Sequence, residues 1–439
     1  MTSSKEAELL CLLNLAQLRD ADKARALQLA REKPDWPGFF DLTWRNSALI
    51  LTCRRIRELG IEATGLSEWK DREQELLKSA TARGTWATSF LKRASENGIE
   101  VIVLKGGLFG SVLYNDPAYK KMNDIDVLVR QSDGPRLANV LRELKFESVG
   151  QLLGKAEFDD DSHHCPPFVS PDLMAMVGIH WGLTSPHSVW KPDLDEIWKA
   201  RTPERVFGAN AFRMSWEDNL LHLCIHLPFF KVGVRELADV YNLVLFASPK
   251  LDWKIFDERV RRWNAEDAAY RVLTLAHALM PLGIPQDLPS KWKARASSFT
   301  IRDTEDRCRL GAALIGTRSV QIGKIEKAFS IFRLTESYSE KVLAWAMTWK
   351  LTFWPSAAEL PRLVPRYKDT GFASRLKMRL LAGSYCWRAM ARDYGQLALC
   401  AITVINIGVV LRATLLRPFG KSGESIRKHP AAKLLEALE

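Results

Sequence analysis

The sequence predicts an α+β chain: a small mixed β-sheet core with helices, embedded in a mostly helical chain with an N-terminal helical cap and a C-terminal helical region. Three observations predict it. Residues 100–130 read as strand, glycine turn, short helix, loop and strand. Apolar residues recur at helical spacing before this stretch and again after residue 215, the pattern of amphipathic helices. Between them, Ala175–Trp181 reads as one further strand.

The cap comes first. Residues 5–33 read as a helix, with Leu9, Leu10, Leu12, Leu13, Leu15 and Leu18 on a broad apolar stripe. Pro34 and Pro37 interrupt it. A second helical run follows with Phe39, Phe40, Leu42 and Trp44, and a third spans Leu49–Leu59 and stops at Gly60. A fourth runs from about Ser67 to Asn97, carrying Leu76, Leu77, Trp86, Phe90 and Leu91, and Gly98 ends it. The divisions expected are 1–98 for the cap, 99–210 for the α/β core, 211–320 for a helical domain and 321–439 for a basic, aromatic-rich helical region.

In the core, Glu100–Leu104 is a β-branched apolar run ended by Lys105-Gly106-Gly107. Leu108–Tyr114 makes two helical turns, stopped by Asn115-Asp116-Pro117. Ile125–Val129 is the next strand. Side chains alternate along a strand, so Asp124 and Asp126 point to one side. Two carboxylates on one face at a strand end suit Mg²⁺, which prefers oxygen ligands and nucleotide phosphates. The glycines allow close backbone approach to a phosphate at a helix start.

Leu104-Lys105-Gly106, Tyr114, Asp116-Pro117, Lys120 and Asp124-Ile125-Asp126-Val127-Leu128-Val129 agree in order and spacing with one pattern. On these residues the chain resembles a bacterial family of uncharacterised nucleotidyltransferases, within the polymerase-β-like superfamily, over about residues 35–270. The resemblance implies transfer of NMP from a nucleoside triphosphate to a hydroxyl acceptor. Asp124 and Asp126 would hold Mg²⁺, Gly106 and Gly107 would seat the nucleotide, and Lys105 or Lys120 would neutralise phosphate charge. The family's third carboxylate would fall on the strand Ala175–Trp181, where this chain has Gly178. That departure leaves two readings: an enzyme, or a degenerate fold that binds a nucleotide or partner. His180, two residues on and so on the same strand face, is expected either as general base or as a packing residue. His163, His164 and Cys165 are adjacent, and three adjacent residues do not easily converge on a tetrahedral zinc ion.

Beyond the core, Asp133-Gly134-Pro135 starts a helix to about Lys145, and Phe146–Val149 reads as a strand before a polar loop over 150–161. Ser215 caps a helix that carries His222 and His226 on one face and ends at Pro228. The resemblance adds an acid in a later helix, here Asp239. A polar contact between this helix pair is the first expectation, and an acceptor-side role for His222, His226 and Asp239 the second. Leu251–Leu282 reads as one helix, and 286–320 as a polar linker with one helix.

Net charge is +11, and 19 Lys and Arg against 9 Asp and Glu after residue 320 carry nearly all of it. That suits an anionic partner: nucleic acid, an anionic membrane surface or a phosphorylated substrate. Tyr394–Leu411 holds no charge but includes Gln396, Asn406 and Gly408, so a buried or interfacial helix is expected ahead of a span. Seven scattered cysteines without a C-x-x-C pair, and an N-terminus without a basic and apolar leader pattern, point to a cytoplasmic protein, with membrane association left open.

Overall fold

The computed structural model describes residues 5–120, 122–152, 156–158, 162–227, 234–309, 335–353, 380–381 and 383–384. Its centre is a seven-stranded mixed sheet in the order β3-β4-β5-β2-β1-β7-β6. The strands are β1 (Ile102–Val103), β2 (Ile125–Leu128), β3 (Glu147–Ser148), β4 (Phe168–Val169), β5 (Met176–His180), β6 (Thr202–Val206) and β7 (Ala209–Arg213). β2 runs antiparallel to β1 and parallel to β5, and β1 runs parallel to β7. The expected α+β class with a mixed sheet in a helical chain is what is observed.

Helices α1 (Lys5–Leu13), α2 (Asp20–Arg31), α3 (Trp36–Arg45), α4 (Leu49–Glu58) and α5 (Lys70–Glu96) precede the sheet. α5 lies against β7, and α6 (Lys105–Val112) against β2 and β6. α7 (Gly134–Glu143) covers β5, and α8 (Val149–Leu152) and α9 (Leu194–Ala200) are short. A second helical layer follows: α10 (Trp216–His226), α11 (Val234–Ala247), α12 (Trp253–Arg262) and α13 (Glu266–Leu279) pack together, with α14 (Leu288–Arg295) and α15 (Ser298–Arg309) against α13. α16 is Tyr338–Phe353. One continuous apolar core joins cap, sheet and helical layer, from Leu9 and Phe39 through Ile102 and Val127 to Trp263 and Trp292.

The structure departs from the sequence expectation at six places, one being the stretch 286–320, read as a polar linker with one helix, which holds both α14 and α15. The helix read over 5–33 is two, because the Asn14 amide donates to Leu10 O and to Thr52 Oγ1, at 2.9 Å each, and Asp22 accepts from the Arg19 backbone to start α2. The helix read over 251–282 also divides. Asn264 takes a left-handed φ of 55° and the Ala265 N–H closes back on Val260 O at 2.9 Å, the usual C-terminal signature. The helix expected from Leu108 begins at Lys105. The strand expected over Phe146–Val149 shrinks to Glu147–Ser148, with α8 after it. The β6–β7 hairpin was not foreseen. Its turn is Phe207-Gly208 with φ of 50° and 71°, the left-handed pair that matches strand twist.

Cys11, Cys53, Cys165 and Cys224 are buried free thiols. Among the described residues no helix is long and apolar enough to cross a membrane. The segment 394–411 and most of the basic C-terminal quarter lie outside the described residues.

Candidate active site

The site is built where β2, β5 and the start of α6 meet. The parallel register sets Asp126 opposite Gly178 and Leu128 opposite His180. Residues two apart in a strand share a face, so Asp124, Asp126, Gly178 and His180 all belong to one face. His180 Nε2 lies 3.1 Å from Asp126 Oδ1. From the other side, Lys105 Nζ donates to Asp126 Oδ2 at 2.7 Å. Both oxygens of Asp126 are therefore engaged.

Lys105 reaches this position from an unusual backbone. Its φ is +46°, a left-handed conformation in a non-glycine residue, right where β1 ends and α6 begins. Gly106 and Gly107 follow in the first turn of α6. A Cβ at Gly106 would sit 2.9 Å from Met122 Cγ, and one at Gly107 would sit 2.9 Å from Val103 Cγ1. The glycines thus let α6 approach β1 and the segment before β2 closely, which brings the lysine to the carboxylate.

Gly178 serves the same purpose on β5. A Cβ there would lie 2.6 Å from Asp126 Oδ1 and 3.3 Å from His180 Nε2. The missing side chain is the space through which Asp126 and His180 meet.

The charges follow from this packing. Burial pushes the Asp126 carboxyl up, but Lys105 and then His180 outweigh it and hold it well below the usual carboxylate range. Asp124 goes the other way: neighbouring Asp126 first, then burial, push it up to about 6 despite Lys105 and His180. Two close carboxylates thus share one site, with one kept ionised by a lysine and the other reluctant to ionise. An added cation would relieve that repulsion.

Histidines crowd around the pair. The rings of His163 and His164 stand 4.4 Å apart, centre to centre, and 5.7 and 5.0 Å from the His180 ring. The backbone places them there, because Trp181 N donates to His163 O and Cys165 N to Ile179 O alongside the end of β5. Burial lowers His163 to about 3 and also lowers His164. Burial pushes the Cys165 thiol up to about 12, which makes it a poor metal ligand. His222 and His226, one turn apart on α10 with rings 5.9 Å apart, are held well below the usual imidazole range, by burial first and Lys105 second. Lys105 and Asp126 thus act electrostatically on His163, His164, His222 and His226.

Lys120 and Asp239 lie elsewhere in the same region. The Lys120 ammonium pairs with Asp239 Oδ2, and both residues are buried. Tyr114 OH donates to Asp239 Oδ1 at 3.1 Å and accepts from the Asn242 amide at 2.9 Å. Tyr114 and Lys120 thereby tie the segment after α6 to α11. Asp116 caps the next turn, accepting from Ala118 N at 2.9 Å.

The site residue not anticipated from sequence is Arg83 on α5, which interacts electrostatically with Asp124; His163 and His164, weighed from sequence only as zinc ligands, instead meet edge to face beside His180. Among the described residues, no group of three or more His, Cys, Asp or Glu is arranged to hold a metal on protein ligands. Asp124 and Asp126 instead match the way Mg²⁺ is usually held: one or two carboxylates, with substrate phosphates supplying further oxygens.

A family model described as an uncharacterised nucleotidyltransferase matches residues 32–281, which contain every site residue described above. No curated protein and no solved structure matches the chain.

Proposed function

We propose, for a chain that belongs to this family of uncharacterised nucleotidyltransferases, a Mg²⁺-dependent transfer of a nucleotidyl group from a nucleoside triphosphate to a hydroxyl acceptor. The observation that carries the reading is the Asp124–Asp126 pair at the start of β2, with Lys105 on its rim. Asp124 and Asp126 would hold the ion, which when bound supplies charge neutralisation at the phosphates. Lys105 leaves its salt bridge and neutralises phosphate charge beside the first turn of α6. The acceptor oxygen bonds to the α-phosphorus as the bond to the β-phosphate oxygen breaks, and pyrophosphate leaves. The hydroxyl proton passes to His180, at the ring nitrogen that Asp126 does not engage. Pyrophosphate release from a nucleoside triphosphate plus a pool of small hydroxyl compounds tests this. The release should require Mg²⁺ and vanish in Asp126→Asn.

One observation favours a second reading, a binding protein on a degenerate fold. Gly178 stands where the third carboxylate is expected, and the space its Cβ would need is occupied by Asp126. A wild type that binds nucleotide but releases no pyrophosphate, and a Gly178→Glu chain that does release it, would favour this reading. An anionic membrane surface or nucleic acid belongs to the proposal as a partner of the basic region 321–439. Sedimentation with anionic liposomes, or binding to nucleic acid, should then weaken as salt is raised.

A further inference from the structure

A cavity of about 270 Å³ is lined by Asn123, the neighbour of Asp124 in the chain. α5 contributes Ser79 and Arg83, the segment before β2 contributes Lys120, Met122 and Asn123, and the strand start contributes Met176. The two cations on its lining differ. Lys120 is already neutralised by Asp239. Arg83 forms no ion pair within 4 Å among the described residues, and its one hydrogen bond is from Nη2 to Ser79 Oγ at 3.3 Å. Its Nε is fully buried without a partner. The guanidinium's fixed fork of donors matches a carboxylate or phosphate.

We propose that this cavity is the acceptor pocket, and that it takes a small molecule whose own anionic group, a carboxylate or a phosphate, is held by Arg83. The inference rests on the nucleotidyl-transfer reading and names the class of substrate for it. The volume is at the small end of ligand pockets, so the cavity suits a compact acceptor rather than a whole nucleotide. Position favours the acceptor too. Asn123, the residue before Asp124, lines the cavity, and Lys120 and Met122 on its wall also approach Gly106, so an acceptor there would adjoin the proposed nucleotide seat. The apolar Met122 and Met176 would cover the carbon body of the ligand, and the Arg83 fork would fix which end points toward Asp124.

The test is calorimetry on the full chain with three probes of similar size: glycerol 3-phosphate, 3-hydroxybutyrate and neutral 1,3-butanediol. At least one of the anions should bind saturably and the diol should not. Which anion binds tells phosphate from carboxylate. Arg83→Gln should weaken that binding about tenfold or more, the scale of a charge-assisted hydrogen bond. Should Arg83→Gln fail to fold, Arg83→Lys carries the test. It keeps the charge without the fork and should lose affinity several-fold. Four results overturn the proposal: no saturable binding of either anion up to about 20 mM, diol binding equal to anion binding, anion affinity unchanged in the Arg83 variant, or a variant that weakens nucleotide and not anion binding. Nucleotide binding by wild type and Asp126→Asn is measured separately. Failure of the nucleotidyl-transfer reading therefore shows there, and failure of the acceptor pocket shows in the titrations with the three acceptor probes.

Discussion

Lys105 Nζ stands 2.7 Å from Asp126 Oδ2 while the Lys105 backbone is held at a φ of +46°. The chain thus accepts a conformation that non-glycine residues rarely take in order to aim an ammonium at a carboxylate. Both side chains are largely shielded, so the pair is an internal one.

That relationship separates two effects of substitution at position 105. Lys105→Ala should lose about 3 kcal/mol, because it leaves the Asp126 charge shielded with only His180 beside it. Lys105→Gly removes the same amine but relieves the left-handed backbone, and should be about 1 kcal/mol more stable than Lys105→Ala. Chemical denaturation of the two variants beside wild type measures both differences. Equal stability of the alanine and glycine chains would show that the backbone at 105 carries no strain.

Gly178→Ala adds a Cβ 2.6 Å from Asp126 Oδ1. The carboxylate must turn away, and its contact with His180 at 3.1 Å is lost. Nucleotide affinity should fall by about tenfold, the scale of one hydrogen bond to a charged group, with the fold retained. Calorimetry checks this, and an unchanged affinity would mean that Asp126 has room to spare.

Lys120 and Asp239 make a buried ion pair across two separate parts of the chain. Lys120→Met or Asp239→Asn alone should cost about 3–5 kcal/mol, because each strands a buried charge. The double variant should cost clearly less than the sum, since neither charge is left unpaired. A double-mutant cycle by urea denaturation measures the difference, and simple additivity would contradict the pairing.

The buried histidines set a direction for pH dependence. His163, His164, His222 and His226 are held below their usual value of 6.5 in the folded chain, by burial first. The unfolded chain takes up protons there as pH falls through 6.5, and the folded chain does not, so stability falls on acidification. Each such group contributes at most about 1.4 kcal/mol per pH unit. Asp124 and Asp218, raised from 3.8 to about 6, oppose this between those values, because the folded chain protonates first. Four groups outweigh two. Denaturation midpoints at pH 7.5, 6.5 and 5.5 should decline in that order, and a rise toward pH 5.5 would contradict the burial of these rings.

Much of the site's frame is legible in the sequence. A strand's two-residue period places Asp124 and Asp126 together, and the same period places His180 with Gly178. What the sequence does not carry is partnership across the chain. Lys105 reads as a phosphate ligand, yet in the folded chain it pairs with Asp126, 21 residues away. Lys120, read as a phosphate ligand, and Asp239, read first as a polar contact to the helix of His222 and His226, pair with one another across 119 residues. Arg83 sits in a long helix where arginine is normally solvated, and only the packing of α5 against the segment before β2 shields it. The β6–β7 hairpin turns on Phe207-Gly208 rather than the Asn-Gly that announces such a turn. The left-handed Asn264 between α12 and α13 was the one missed break with a readable signal.

The most direct test of the central claim is calorimetric titration of the full chain with each of the four ribonucleoside triphosphates, with and without Mg²⁺, wild type beside Asp126→Asn. The account predicts that at least one nucleotide binds, only with Mg²⁺, and that Asp126→Asn abolishes the binding while the chain stays folded. Binding of equal strength in Asp126→Asn, or no binding of any nucleotide to the wild type, would contradict it.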